Sequence, residues 1–375
     1  MGKFNFSVSA ETRALSEYMS KPPRRLPRDV LEKAKDHILD TFASMISGSR
    51  LKAGLLAIPY VRGLGGVREA NIVGTRIMTS AANAAFANGM FAHADETDDS
   101  HPSSFTHPGS AIVPAALAVA EKERASGREF LHAVVLGYDV GCRLTKSLDI
   151  RAFTAVFRSS HSFGGTFGAG AAAGSLLRFN SSKARHLLSY CAQLASGCGA
   201  YMHDKGHVEK AFVYSGKSAQ AGVTAAMLID AGFTGADDVF SGERNFLDAY
   251  AGQKHPEELS SELGRRYEIM GTNIKKWSVG SPIQAVLDSI EGISEDGVIP
   301  PQEVESVHVY LPPRESRVVD NRPFSDVNVQ HLVALMLVDG KLNFQSIHDD
   351  RRMSDPQIRA FKRRVYLVPT GSLAS

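Results

Sequence analysis

From the N-terminus to about residue 264, apolar residues recur at helical spacing. A first helix runs to Ser20, with Ser7 or Ser9 available as its cap. Val30, Leu31, Ala34, His37, Ile38 and Phe42 then share one face of a segment that Pro27 opens and Gly48 closes. A shorter amphipathic helix is expected over residues 51–64, ended by Gly65-Gly66, with a brief extended piece at 71–74. Residues 80–93 are rich in alanine, which favours close packing, so this helix is expected at the centre of the fold. Asn83 and Asn88 within it need hydrogen-bond partners if buried. Helices over 108–126 and 128–148 follow. Residues 160–177 carry Gly164, Gly168, Gly170 and Gly174, and their Gly-x-x-x-Gly spacing predicts close helix crossings. No strand precedes these glycines, so they do not read as a phosphate-binding loop. Further helices are expected over 181–200 and 216–231.

The pattern changes near Gly264. Residues 267–270 read as a strand, 281–293 as a helix with Pro282 in its first turn, and 304–311 as a strand with Val307, Val309 and Leu311 on one face. Helices over 327–338 and 356–363 and a strand over 365–368 complete the set. The expected fold is therefore mainly α. A large all-helical domain spans 1–268, and a smaller α+β domain over 269–375 is expected to be incomplete at the C-terminus, where no helix follows the last strand.

Composition narrows the possible partners. Hydrophobic residues make up 43% and charged residues 22% of the chain, and the net charge is +2, so no nucleic acid or membrane partner is expected. No apolar run is long enough for a span, and the N-terminus lacks the apolar core of a signal peptide, which predicts a cytoplasmic protein. Three cysteines without a C-x-x-C pattern exclude a disulfide framework and argue against an iron–sulfur cluster.

The candidate chemistry concentrates in residues 93–110. This stretch holds Asp95, Glu96, Asp98, Asp99, His93, His101 and His107, between two helices of small residues. Pro102, Pro108 and Gly109 mark it as a loop. Its acids also suit the N-terminus of the helix that follows, and Asp95 is expected to do only that. His203 and His207 are one helical turn apart, but Asp204 stands where a zinc-protease motif carries glutamate, so no metal site is expected. His37, His132, His186, His331 and His348 read as packing or surface residues.

Several segments together carry a family resemblance. They are Asn88-Gly-Met-Phe-Ala-His93, the acidic run to Ser100, Thr106-His-Pro-Gly-Ser110, residues 113–121, Gly137-Tyr-Asp-Val with Arg143, and His161 with Phe163, Gly164, Thr166, Phe167 and Gly168. Residues 216–222, Gly232-Phe-Thr-Gly235 and Asn321-Arg-Pro-Phe324 continue the series. In order and spacing the chain resembles the MmgE/PrpD family, which includes 2-methylcitrate dehydratases, cis-aconitate decarboxylases and iminodisuccinate epimerases. The resemblance implies a helical domain that carries the dimer contact and much of the site, a lid domain, no cofactor, a small carboxylate substrate and a homodimer.

Carried over residue by residue, the resemblance places Glu96 where the family usually has Asp, Asp98 and Asp99 at its Asp-Asp pair, and Ser100 at the hydroxyl that follows. His107 and His161 match its histidines, and Lys275 matches a lysine. Lys210 matches a second lysine, with spacing one residue off. Gly280 stands where decarboxylases carry a histidine, and Val319 where they carry a tyrosine. The expected catalytic set is His107 and His161 in acid/base work, Asp98 and Asp99 orienting a histidine or substrate, and Lys275. Glu96, Ser100, His101, Lys210, Lys276 and Arg322 are expected around the substrate, with the lysines on carboxylates. The expected function is a cofactor-independent lyase, a hydratase/dehydratase of a citrate-like acid. An epimerase using the same proton abstraction and a catalytically silent binder are the alternatives.

Overall fold

The computed structural model describes residues 7–373 apart from 24, 205 and 295–299. The fold is mainly α, with two two-stranded sheets among the described residues. It divides into two compact units, one of Met1–Ala94 with Asp98–Ile274 and one of Asp95–Thr97 with Lys275–Ser375.

The first unit is built on helices that approach through glycine and alanine. Gly127–Lys146 crosses the glycine-rich helix Ser160–Leu176, and the contact is backbone on backbone. A Cβ on Gly141 would lie 2.5 Å from the Gly164 carbonyl oxygen, and one on Gly168 would lie 2.7 Å from that of Gly137. The crossing predicted from the Gly-x-x-x-Gly spacing is thus present, and larger side chains are sterically excluded from it. The alanine-rich helix Ala81–Ala92 is capped by Ser80 and buried at Ala84, Ala85 and Ala87. Asn88 is satisfied in this core: it accepts from the Val73 amide at 2.9 Å and donates to the Asn71 carbonyl at 3.0 Å. Ser126 and Glu129 form a capping box at the start of Gly127–Lys146.

Two sequence expectations fail here for local reasons. The strand expected at 267–270 is instead a 3₁₀ turn, Glu268–Gly271. The Glu268 amide donates to Asp139 Oδ1 at 2.7 Å, and its carboxylate is taken up by Arg266 and Lys146. The helix expected to 200 ends at Leu194. The chain must then pass through Gly197, whose φ of +148° suits glycine alone.

In the second unit, strands Val307–Leu311 and Val365–Pro369 pair in parallel, Val307 opposite Val365. Parallel strands need a long crossover. Here it contains Val329–Asp339, whose Leu332, Val333 and Leu335 are fully buried beside Ile358 and Phe361 of Pro356–Lys362. Gln284–Ser294 adds Leu287 and Ile290 to the same core. No helix among the described residues is long and apolar enough to cross a membrane.

Candidate active site

The alanine-rich helix ends with His93 at its C-cap, and the helix Pro108–Glu123 begins with His107 at its N-cap. The loop between them turns through left-handed backbone at Glu96 and Phe105, with φ of 58° and 48°. A bridge between His101 and Thr106 closes its last turn. The two helix ends bring the His93 and His107 rings to 5.5 Å.

The adjacent carboxylates of Asp98 and Asp99 are both fully buried but differ in environment. Asp98 Oδ2 accepts from His93 Nδ1 at 2.8 Å and lies 3.7 Å from His107 Nδ1. Asp99 instead accepts from the Tyr138 hydroxyl at 2.6 Å, His37 Nδ1 at 2.8 Å and the Gly109 amide at 2.9 Å. Its side chain therefore ties the N-terminus of the Pro108 helix to two other helices. Toward His107 it offers its backbone instead, His107 Nδ1 donating to the Asp99 carbonyl at 2.6 Å. That bond fixes the proton on Nδ1, so any proton His107 gives or takes passes through Nε2.

His161 enters from the first turn of the glycine-rich helix, with its ring centroid 4.9 Å from that of His107. It stacks on Tyr214 at 3.7 Å, and Tyr214 also stacks on His93 at 4.5 Å. The buried Nδ1 of His161 has no hydrogen-bond partner among the described residues. Burial, reinforced by the nearby charges of His107, His93 and Lys210, pushes its pKa well below the usual imidazole value. The ring is therefore neutral at physiological pH.

Tyr214 was not anticipated from the sequence. It lies in a π turn, Phe212–Gly216, between the short helix Val208–Ala211 and the helix Lys217–Asp230. Its hydroxyl is 2.8 Å from that of Tyr201, and Lys210 Nζ lies 5.1 Å from its ring centroid. A π turn is the way a helix takes up one extra residue. It falls between Lys210 and Gly216, the interval whose spacing is one residue off.

The other expected site residues have partners of their own. His101 is buried, with Nδ1 2.7 Å from Ser104 Oγ and Nε2 3.4 Å from Glu268 Oε2. Burial opposes its charge, but Cys142 and Glu268 outweigh that and hold its pKa at about 10. It makes none of the ring contacts of the histidine cluster among the described residues. Ser100 pairs its backbone with Asn273, amide to carbonyl in both directions. Asp95 accepts from the Thr97 amide at 3.1 Å, within its own loop. Lys276 is exposed and its ammonium meets Glu291 and Asp288.

Lys275 and Glu96 meet within the second unit. Lys275 Nζ donates to the Glu96 carbonyl at 2.6 Å and lies 3.9 Å from Glu96 Oε2. Arg322, also in that unit, accepts the Asn328 side-chain amide on its carbonyl. Val319 is fully buried in the apolar core there, and a Cβ on Gly280 would meet Val327 Cγ1 at 3.5 Å. No group of three or more His, Cys, Asp or Glu side chains among the described residues is arranged to hold a metal ion.

The first unit thus holds a cluster that can move protons, two imidazoles in contrasting surroundings with an ammonium nearby. The MmgE/PrpD N-terminal domain matches residues 13–259, and the MmgE/PrpD C-terminal domain matches residues 277–374. The chain is 26% identical to the cis-aconitate decarboxylase of Homo sapiens over 371 residues, which is 92% of this chain and 74% of that protein. It is 24% identical to the cis-aconitate decarboxylase of Aspergillus terreus, over 91% of this chain and 74% of the relative. It is 26% identical to the cis-aconitate decarboxylase-like protein oryM of Aspergillus oryzae, over 73% of this chain and 59% of the relative. The chain therefore spans from 59% to 74% of the length of these relatives.

Proposed function

This chain belongs to the MmgE/PrpD family, and from that premise we propose that it is a lyase that dehydrates a small citrate-like di- or tricarboxylate. His161, neutral and desolvated, takes the proton from the carbon next to a carboxylate. His107, through Nε2, gives a proton to the departing hydroxyl, so that water leaves and a carbon–carbon double bond forms. Asp98, 3.7 Å from His107, stabilises the positive charge that His107 carries before that step. Lys210 anchors a substrate carboxylate.

The observation that carries this reading is the contrast within the His107–His161 pair, with ring centroids 4.9 Å apart. One imidazole has a carboxylate beside it. The other is stacked and desolvated, with an unpartnered Nδ1. Paired titratable groups in contrasting environments are how one site holds an acid and a base at one pH. Dehydration is favoured over decarboxylation because Gly280 and Val319 replace the histidine and tyrosine of the decarboxylase pattern, and both have apolar neighbours. The enzyme is further proposed to act as a cytoplasmic homodimer, which light scattering of the purified chain tests.

The test is incubation of the chain with a panel of citrate-like acids in deuterated buffer. Ultraviolet absorbance from a new double bond supports the dehydratase. Deuterium at the substrate carbon without that absorbance replaces it with the epimerase. No exchange and no product across the panel rejects both and leaves a binding protein.

A further inference from the structure

His93 is the third imidazole of the cluster, and the proposed reaction gives it no part. His107 and His161 each keep some surface open, whereas His93 is 1% exposed. Whatever it does therefore passes through its neighbours, and two arms leave it. One runs through Asp98. Asp98 Oδ2 accepts from His93 Nδ1 at 2.8 Å and lies 3.7 Å from His107 Nδ1, whose own proton goes to the Asp99 carbonyl at 2.6 Å. The hydrogen bond from His93 favours the charged form of the carboxylate, and the carboxylate then acts on His107 through its field. The other arm runs through Tyr214. That ring stacks on His93 at 4.5 Å and 26°, and on His161 at 3.7 Å and 21°. The ring that orients His161 is thus itself seated against His93. The titratable groups around Tyr214 come from several elements: His93, His107 and His161 stack on it, Lys210 Nζ lies 5.1 Å from its centroid, and Asp98 stands behind His93.

We propose that His93 is a positioning residue that serves both members of the acid–base pair at once: it keeps Asp98 charged for His107, and it seats Tyr214 for His161. Its consequence for turnover rests on the dehydration proposed above. Its effect on the two rings rests on geometry alone. Two substitutions separate the arms. His93→Phe keeps an aromatic ring against Tyr214 and loses the donor to Asp98. His93→Asn places an amide nitrogen where Nδ1 stood, keeping a donor to Asp98, and loses the ring.

The experiment follows the ring resonances of histidine-labelled full chain by nuclear magnetic resonance across pH, which needs no turnover, beside the pH profile of kcat. His93→Phe is expected to move the titration of His107 down by about one pH unit, because Asp98 is then harder to ionise. His93→Asn is expected to leave that titration in place and to lower kcat by about 10- to 100-fold with KM kept, through a misoriented His161. Where a variant fails to fold, the unaltered chain decides: the His93 Nδ1 proton is expected to shift as His107 titrates. An unmoved His107 in His93→Phe, equal effects of the two variants, or a His93 proton indifferent to the charge on His107 overturns the proposal and leaves His93 as packing at a helix end. Absence of turnover across the panel of acids rejects the dehydration instead, and the ring titrations still decide the role of His93.

Discussion

The imidazole of His161 lies flat against the ring of Tyr214, at 3.7 Å and 21°. This contact joins the start of the glycine-rich helix to a π turn, so an irregularity in one helix sets the orientation of a proton-transfer group on another. Tyr214→Phe keeps the stack and loses the hydrogen bond to Tyr201. It is expected to cost about 1 kcal/mol of stability with turnover nearly retained. Tyr214→Ala removes the stack and is expected to lower turnover sharply. Equal turnover in the two variants would show that the ring does not orient His161.

His107→Gln and His161→Gln are each expected to reduce turnover by about 100- to 10,000-fold, the usual contribution of a positioned acid or base. Steady-state kinetics on the best substrate of the panel measures this. Near-normal rates would remove either residue from catalysis.

Asp98 and Asp99 are expected to separate into a chemical and a scaffolding role. Asp99→Ala strands the buried donors of Tyr138, His37 and Gly109. It is expected to destabilise the fold by about 3–5 kcal/mol, read from the denaturant midpoint. Asp98→Asn keeps an acceptor for His93 and is expected to lower turnover more than stability.

The glycine crossing gives a stability contrast. Gly141→Ala drives a methyl group to 2.5 Å from the Gly164 carbonyl and is expected to cost about 1–3 kcal/mol. Gly292→Ala, at an exposed position of the helix Gln284–Ser294 with open space around it, is expected to stabilise by about 0.5–1 kcal/mol. Thermal melting of the two variants checks the sign of each.

Acid sensitivity is expected in the second unit. Burial, with Lys362 and Arg352 nearby, lowers the pKa of His331 from 6.5 to about 4. Between those values the unfolded chain binds a proton that the folded chain refuses, so stability is lost as pH falls from 6.5 toward 4. His331→Gln is expected to flatten that slope in pH-dependent denaturation, and an unchanged slope would assign it to other groups.

Much of this was legible in the sequence where period and composition decide the outcome. The helices follow from apolar spacing, and the close crossing from the spacing of Gly164 and Gly168, because only glycine lets two backbones touch; its partners Gly137 and Gly141 emerge from the structure. The proximity of His107 to His161 came from a family pattern rather than from spacing. Tyr214 could not be singled out. An aromatic after Ala211, Phe212 and Val213 reads as core, and a π turn leaves no residue-type signature. Nor could Asp98 be told from Asp99, since two neighbours in an irregular loop take their directions from backbone angles that composition does not encode. The false strand at 267–270, Tyr-Glu-Ile-Met, is too brief for its period to decide, and buried polar partners settled its shape.

The chain enters its second unit twice, first through Asp95–Thr97 and again from Lys275 onward. Lys275, with 2% of its side chain exposed, delivers its ammonium to the carbonyl of Glu96 at 2.6 Å. The second unit is therefore not a cassette. A fragment starting at Lys275 carries that buried ammonium without its receiving carbonyl, and a chimera joined at the same point inherits Asp95–Thr97 from the wrong parent. Recombination within this architecture has to carry the loop and the distal segment together, which ties the evolution of the histidine-bearing loop to a stretch of chain that begins at residue 275.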